Sequence, residues 1–449
     1  FLQFKRSLTK DFKIAGAMTR STLRGRCFEK YRGYLLMYGR RLAGGAARQL
    51  MDFNSSQGTC LLAAGSLTLR CWATNAKRRW AVLSALGAAS SFLWVLRQRS
   101  QAQALEKRTK VSLEQVGVAE INANFNMEDR HIVEEIPQGP VAVGVFDGHG
   151  GNEVAEWLTQ ALPTALNYFW TRTTESAGTK SQAQVALTTL VDAFNECDDQ
   201  LLKTFLPVAH NMKFSNLVRV GACAVCVLID AENFYVASAG DSRAVLVSGG
   251  KCRTLSKIHN ADQPEEQTRL RLAHPNEDDL ILCRQPTGMV NRFSFVTRSG
   301  EPAAVSAPCY VKGRLQPTRS FGDFYLKDSR FAFNHQEGLP FLNQPASPPY
   351  ITAEPEVATV SRSSEDEYLV LASDGLFDYL SNQQVAAVCR NCVEQAKSAP
   401  KQVAAALMQE AVRQAAVAND LDVSALLRMP QGRRRRRYHD DITVVCVRL

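Results

Sequence analysis

Four apolar runs of this chain each border an aspartate, usually with a glycine beside it, and these aspartates are Asp147, Asp241, Asp374 and Asp440. An ionised carboxylate next to a buried strand is costly unless it is paired or binds a cation. A single Asp-Gly pair is most often an ordinary turn, but four in this setting are not a chance pattern. Because Mg²⁺ and Mn²⁺ prefer oxygen ligands, the pattern predicts a hard-metal site at strand ends, with Glu128 as a further acidic candidate.

Short apolar segments and a smaller number of helical patterns make up residues 111–449. Strands are predicted at 141–146, 222–229, 233–239, 243–248, 367–372 and 442–448, and helices at 152–169, 183–205, 263–273, 382–395 and 401–417. This grouping favours an α+β sandwich over a wound parallel sheet. Only Gly240-Asp241-Ser242 separates 233–239 from 243–248, which predicts a hairpin. Polar sequence at 276–314 predicts a flap or insertion.

Charge divides the chain into two parts. Residues 1–110 contain 21 basic and 4 acidic side chains, whereas the remainder contains 32 basic and 40 acidic ones. The globular part is therefore mildly acidic, and we expect it to bind no nucleic acid. Residues 1–76 have the Arg-rich, acid-poor composition of an organellar transit segment, and the alternative is a disordered basic arm.

Residues 80–96 form an uncharged stretch of 17 residues between basic flanks. This length is at the lower limit for a bilayer span, and Trp80 and Trp94 fit interfacial anchoring. One interpretation is that residues 77–110 form a membrane-associated helix and a linker. The other is a helix used for packing or targeting.

The 12 cysteines are scattered along the chain, without the dense spacing of a secreted disulfide scaffold. This is consistent with a reducing compartment. Cys223 and Cys226 lie in a predicted strand and would point to opposite faces. Cys389 and Cys392 could share a helix face, but they have no neighbouring pair of ligands, so a zinc site is not expected.

Five segments resemble the metal-dependent Ser/Thr protein phosphatases of the 2C type. They are VFDGHGG at 145–151, SAGDSRAVL at 238–246, PTRSFGD at 317–323, ASDGLFD at 372–378 and DDITVV at 440–445. The resemblance spans about residues 113–449. It implies an α-β-β-α fold, in which two antiparallel sheets pack as a β-sandwich, helices cover both outer faces and the metals lie at one end.

The resemblance also implies a role for each matching residue. Two Mg²⁺ or Mn²⁺ ions would be held by Glu128, Asp147, the carbonyl of Gly148, Asp374 and Asp440. Asp147 would bridge the two ions, and Asp241 together with Asp374 would hold a weaker third ion. The ions would activate a water for attack on the phosphate, and His149 would be the general acid that protonates the leaving serine or threonine oxygen.

One position departs from the broad family. Four residues before Glu128, where an arginine usually binds the substrate phosphate, this chain has Asn124, and a bidentate contact is lost. Asn124 resembles the residue that the pyruvate dehydrogenase phosphatase catalytic subunits have at this position. Asp441, where an asparagine is commoner, resembles the same branch. So do NANFNMEDR at 122–130 and YHDDIT at 438–443. That branch implies a mitochondrial enzyme, in the matrix or associated with the inner membrane, and the basic N-terminal segment favours the same location.

Three places could supply the phosphate contact that Asn124 does not provide. The arginine run 433–437 lies just before Asp440, and one of its guanidinium groups could face the metal cleft, although such runs are usually solvated loops. Arg130 and Arg319 are the competing candidates. The candidate substrate-binding residues are therefore Asn124, Arg130 and Arg319, with the run 433–437 as an open alternative.

Two functions are compatible with these features. The first is an active Mg²⁺- or Mn²⁺-dependent phosphatase that acts on a phosphorylated protein substrate at phosphoserine or phosphothreonine. The second is a noncatalytic phosphatase-fold subunit, tethered in a membrane assembly through residues 80–96. Because every expected metal carboxylate is present, the sequence favours the first.

Overall fold

The computed structural model describes residues 111–449, apart from residues 177, 179–180, 213–215, 285–307, 332, 335–338, 345 and 397. The predictions for residues 1–76 and 77–110, including the apolar stretch 80–96, lie outside the described residues. So does most of the predicted flap at 276–314.

Two antiparallel sheets form the centre of the fold. The first contains β1 (Val116–Ile121), β6 (Arg243–Ser248), β7 (Lys251–Thr254), β14 (Asp366–Ala372) and β15 (Ile442–Arg448), in the order β1-β15-β14-β6-β7. The second contains β2 (Arg130–Glu135), β3 (Val141–His149), β4 (Gly221–Ile229), β5 (Asn233–Ala239), β10 (Phe321–Gly322) and β13 (Glu356–Ser361). Its order is β13-β5-β4-β3-β2, and β10 also pairs with β4. Two further pairs are β8 (Ile281–Cys283) with β9 (Cys309–Val311) and β11 (Phe333–Asn334) with β12 (Leu339–Pro340).

The helices are α1 (Glu153–Glu175), α2 (Gln182–Met212), α3 (Pro264–Ala273), α4 (Phe324–Lys327), α5 (Asp374–Phe377), α6 (Asn382–Glu394), α7 (Pro400–Ala418) and α8 (Val423–Arg428). The outer face of the second sheet is covered by α1 and α2, and that of the first by α6 and α7. Leu158 and Leu162 of α1 share one apolar cluster with Ala224 of the second sheet. Leu407 of α7 shares another cluster with Val370 of the first sheet. The layers are therefore α-β-β-α, which confirms the predicted fold class.

The two sheets meet in a core made largely of branched aliphatic side chains. Val143, Val227, Leu246 and Val445 are fully buried there. Strand residues alternate between this core and the helices, as the period of two of a strand requires. In β4, Cys226 faces the helical layer with its even-numbered neighbours, so Cys223 and Cys226 do lie on opposite faces, as predicted.

The predicted hairpin between 233–239 and 243–248 is wrong, although both strands have the predicted bounds. β5 pairs with β4 and β13 in the second sheet, whereas β6 pairs with β7 and β14 in the first. The segment between them crosses from one sheet to the other. Gly240 permits this crossing, because it has a φ of +114° and an added Cβ would collide with the Sγ of Cys223.

A disulfide joins Cys283 and Cys309, which lie opposite each other in the register of β8 and β9. The scattered cysteine spacing gave no sign of this bridge, because the two residues are brought together by a strand pair that closes 26 positions of sequence. The described cysteines outside this pair are unbridged. Among the helices that the structure describes, none has the length and apolar character that crossing a membrane requires.

Candidate metal centre

Strand directions bring four of the predicted carboxylates to one end of the sandwich. β3 and β5 both run antiparallel to β4, so their C-terminal ends share an edge, which carries Asp147 and Asp241. In the other sheet, the end of β14 lies beside the start of its antiparallel neighbour β15, which places Asp374 near Asp440. Ligand oxygens of Asp147, Asp241 and Asp374 all lie within 4.8 Å of one another. The amide of Asp374 also donates to Asp147 Oδ2 at 3.3 Å.

The carboxylates of this cluster repel one another, although Arg243 and Arg436 carry opposing charge nearby. Burial and the repulsion of neighbouring carboxylates raise the pKa of Asp147 well above its usual range. Burial and the charges of Asp378, Asp241 and Asp440 do the same to the pKa of Asp374. Oxygen-only donors that repel one another fit a hard divalent cation, which would relieve the repulsion.

Two further aspartates belong to this cluster, and the sequence reasoning did not assign them a role. Burial raises the pKa of Asp129 to about 8 and that of Asp378 to about 7, with the charge of Asp440 acting in the same direction on both. Oδ2 of Asp129 is buried with no hydrogen-bond partner. Asp129 directly follows Glu128, and Asp378 ends the segment ASDGLFD that contains Asp374. Their closeness in sequence to two predicted ligands was the available signal.

Asp441 organises the loop that carries Glu128. Its buried carboxylate accepts hydrogen bonds from the amides of Ala123 (2.6 Å), Asn124 (2.9 Å) and Glu128 (2.7 Å). The side chain of Asn124 donates from Nδ2 to both Asp441 Oδ2 and Glu128 Oε2, each at 3.1 Å. Asn124 therefore lies at the candidate metal centre, but its side-chain amide donates to two carboxylates of the protein. The amide oxygen of an asparagine at 441 could satisfy fewer of these donors.

Glu128 and Gly148 lie next to each other, as the predicted ligand set requires. An added Cβ at Gly148 would collide with the backbone oxygen of Glu128, so only glycine allows this approach. Burial raises the pKa of Glu128, and the negative charges of Asp441 and Asp440 act in the same direction. The positive charges of Arg436 and His149 lower this pKa, but they do not outweigh burial.

His149 is held by Asp323, which the sequence reasoning missed. The Nε2 of His149 lies 2.7 Å from Asp323 Oδ2, and the hydroxyl of Ser320 donates to the same oxygen at 2.7 Å. Burial alone would lower the pKa of His149, but the Asp323 carboxylate outweighs it and holds that pKa above its ordinary value. Asp323 is fully buried in the left-handed conformation, with a φ of +50°. At Gly221 an added Cβ would collide with both side chains.

The arginines near the centre differ in what they contact. Arg130 donates to Glu156 and to the carbonyls of Met127 and Asp129. Arg319 pairs with Glu266 and donates to the carbonyl of Glu354.

Arg436 instead pairs with Asp440, and the carboxylates of Glu128, Asp374 and Asp147 also raise its pKa against burial. Of the three open candidates for a phosphate contact, the run 433–437 is therefore the one that faces the carboxylates, through Arg436.

Known proteins with similar sequences share one family. Residues 115–420 match the model of the Protein phosphatase 2C family. The chain is 32% identical to the probable protein phosphatase 2C 67 of Arabidopsis thaliana over 349 residues, which covers 74% of this chain and 82% of that protein. It is 30% identical to the probable protein phosphatase 2C 43 of Oryza sativa subsp. japonica, with 73% and 76% covered. The crystal structure of a serine-threonine phosphatase 2C from Toxoplasma gondii aligns at 18% identity with a TM-score of 0.49, covering 74% of this chain and 94% of that one.

Proposed function

Because this chain belongs to the protein phosphatase 2C family and is a metal-dependent Ser/Thr protein phosphatase, we propose which of its residues perform the reaction. Two Mg²⁺ or Mn²⁺ ions would be held by Glu128, Asp147, the carbonyl of Gly148, Asp374 and Asp440, with Asp241 available to a weaker third. When bound there, the ions supply Lewis-acid activation of water and neutralise the charge of the phosphate. The observation that carries this proposal is the convergence of Asp147, Asp241 and Asp374 within 4.8 Å.

The protein's own residues supply orientation and a proton. Asp441 accepts hydrogen bonds from the amides of Ala123, Asn124 and Glu128, and Asn124 donates to the Glu128 carboxylate, so these two residues orient Glu128. His149 donates from Nε2 to Asp323, so Nδ1 remains as the ring nitrogen that gives a proton to the departing serine or threonine oxygen. Without that proton the oxygen would leave as a poor alkoxide. Asp323 thus positions the acid without touching the substrate.

The test compares turnover and stability in variants of the full chain. Asp147→Ala and Asp374→Ala should abolish hydrolysis of a phosphoserine peptide at saturating Mn²⁺, because each removes an oxygen ligand from a strand end and leaves core packing intact. Metal-free, each variant should unfold at the same temperature as wild type or higher, since one repelling charge is gone. Asp422→Ala, which makes the same change at an exposed helix cap without a side-chain hydrogen bond, is the matched control. Wild-type turnover by either alanine variant would overturn the ligand assignment, and a wild-type chain inactive at every Mg²⁺ or Mn²⁺ concentration would favour a noncatalytic subunit.

The substrate and location extend this proposal. The resemblance of 122–130 and 438–443 to pyruvate dehydrogenase phosphatases, and the basic composition of residues 1–110, support an organellar phosphoprotein substrate such as pyruvate dehydrogenase. Residues 1–110 would serve location and 80–96 membrane association, because every proposed ligand lies after residue 123. A fluorescent protein fused to residues 1–110 should enter mitochondria. Deletion of residues 80–96 from the otherwise complete chain should release it from membranes. A cytosolic fusion, or unchanged membrane binding, would contradict these assignments.

A further inference from the structure

The phosphate-binding arginine expected at position 124 is absent, and the residue in its place is fully engaged. Both protons of the Asn124 side-chain nitrogen have protein partners, Glu128 and Asp441, each at 3.1 Å. An asparagine amide has no further donor to offer a substrate. The doubly charged phosphate of the substrate therefore needs another cationic contact on this side of the cluster.

Three other arginines of the neighbourhood are poorly placed for this task. Arg130 and Arg319 are bound to protein carboxylates and carbonyls, and the side chain of Arg319 is only 14% exposed. Arg243 stacks over the ring of Phe377, 5.0 Å from its centroid, and is half-buried. Its neighbouring charges are Asp378, Asp241 and Asp374. It therefore balances the cluster from inside the protein.

Arg436 combines exposure with contact to the cluster. It donates from Nη1 to Asp440 Oδ1 while 41% of its side chain remains exposed. This places a guanidinium at the solvent side of the carboxylates, where a substrate phosphate must approach. Its planar fork can donate two parallel hydrogen bonds to phosphate oxygens.

The turn that carries Arg436 is fixed to the protein on both sides. The buried guanidinium of Arg435 donates to the carbonyls of Leu427, Met429 and Asn122. The amide of Gly432 donates to the carbonyl of Ala123 at 2.7 Å. Arg435 is directed inward and Arg436 outward from the same short 3₁₀ turn, so the fold sets the backbone position from which Arg436 extends.

We propose that Arg436 binds the phosphoryl group of the substrate, in place of the arginine that position 124 lacks. This inference rests on the proposed function, since it concerns the same site. A cation held by Asp440 would share the charge of that carboxylate, which would leave the guanidinium of Arg436 available to an anion. Arg436 is therefore a phosphate-binding residue whose contact with Asp440 is exchanged for a contact with substrate.

The experiment measures the binding of inorganic phosphate to the full chain in the presence of Mn²⁺ by isothermal titration calorimetry. Arg436→Gln should bind phosphate roughly tenfold to hundredfold more weakly than wild type, as loss of charge-assisted hydrogen bonds implies. Its Mn²⁺ affinity should be equal or higher, because the arginine no longer competes for Asp440. Arg433→Gln, at an exposed position of the same arginine run, should bind phosphate within about twofold of wild type.

Three results would overturn the proposal. They are unchanged phosphate affinity in Arg436→Gln, an equal loss in Arg433→Gln, and a loss of Mn²⁺ binding in Arg436→Gln, which would show a structural role. The KM for a phosphoserine peptide should rise with the phosphate dissociation constant. Because the calorimetry does not require turnover, a wild-type chain that binds phosphate but hydrolyses nothing would contradict the proposed function and leave the role of Arg436 standing.

Discussion

Replacement of Asp441 by asparagine, the commoner residue in the broad family, should damage this protein. The Asp441 carboxylate is 2% exposed and accepts from three backbone amides and from the Asn124 side chain. An asparagine that keeps its oxygen toward Ala123 and Asn124 turns an NH₂ group toward the amide of Glu128 and the Asn124 nitrogen. Each donor left without a partner costs about 1–3 kcal/mol. Two such donors, both only half-buried and thus partly reached by water, cost about 2–4 kcal/mol in total.

The assay separates this effect from a general loss of stability. Asp441→Asn should unfold several degrees below wild type in differential scanning calorimetry. It should also need a higher Mn²⁺ concentration for half-maximal turnover, since the backbone of the ligand Glu128 is displaced. Asp422→Asn makes the same chemical change at an exposed site and should alter neither quantity. If Asp441→Asn matches wild type in unfolding temperature and Mn²⁺ requirement, the role given to Asp441 is wrong.

Two further predictions concern Asp323 and Glu266. Asp323→Asn should slow the hydrolysis of a phosphoserine peptide about tenfold to hundredfold, because His149 loses its orienting partner. The hydrolysis of p-nitrophenyl phosphate should slow by less than about threefold, because its leaving group needs no proton. Equal losses on both substrates would show that Asp323 is merely structural. Burial alone would raise the pKa of Glu266, but hydrogen bonds from Arg319, Arg269 and Thr318 lower it to about 2. The stabilisation by ionised Glu266 is therefore complete above its ordinary pKa of 4.5 and is lost as the pH falls toward 2. The difference in unfolding temperature between wild type and Glu266→Gln should shrink below pH 4.5, and a difference that is constant with pH would contradict this.

Local sequence patterns were sufficient for the central strands, and they led to Asp147, Asp241 and Asp374, which the structure brings together. The predicted strands 233–239, 243–248 and 442–448 have the observed bounds, because long apolar runs define such elements, and a glycine follows each of the first two. The choice of partner strands was beyond local reasoning. Turn chemistry at Gly240 is the same whether the chain folds back within one sheet or crosses to the other. The crossing is decided by pairing with β13 and β14, more than 100 residues later.

Asp323 was missed for a related reason. The strand before it, β10, is only two residues long and gives no apolar run, although the Gly-Asp pair at its end repeats the pattern of the metal aspartates. Its partner His149 lies 174 positions earlier, so that only the folded chain brings them together. The sequence also left three alternatives for the phosphate contact. They differ in which groups the guanidinium contacts, and for Arg319 long-range packing decides this, because its partner Glu266 lies 53 positions earlier.

The most direct test of the account is to measure Mn²⁺ binding and phosphopeptide turnover in the same preparation of the full chain. Titration of metal-free protein should reveal two tight Mn²⁺ sites per chain, and turnover should appear only as the second site fills. Asp147→Ala, which removes the carboxylate proposed to bind both ions, should lose both tight sites and all turnover. Turnover by wild type in the presence of excess chelator, or two tight sites retained in Asp147→Ala, would contradict the claim that the strand-end carboxylates hold the catalytic metals.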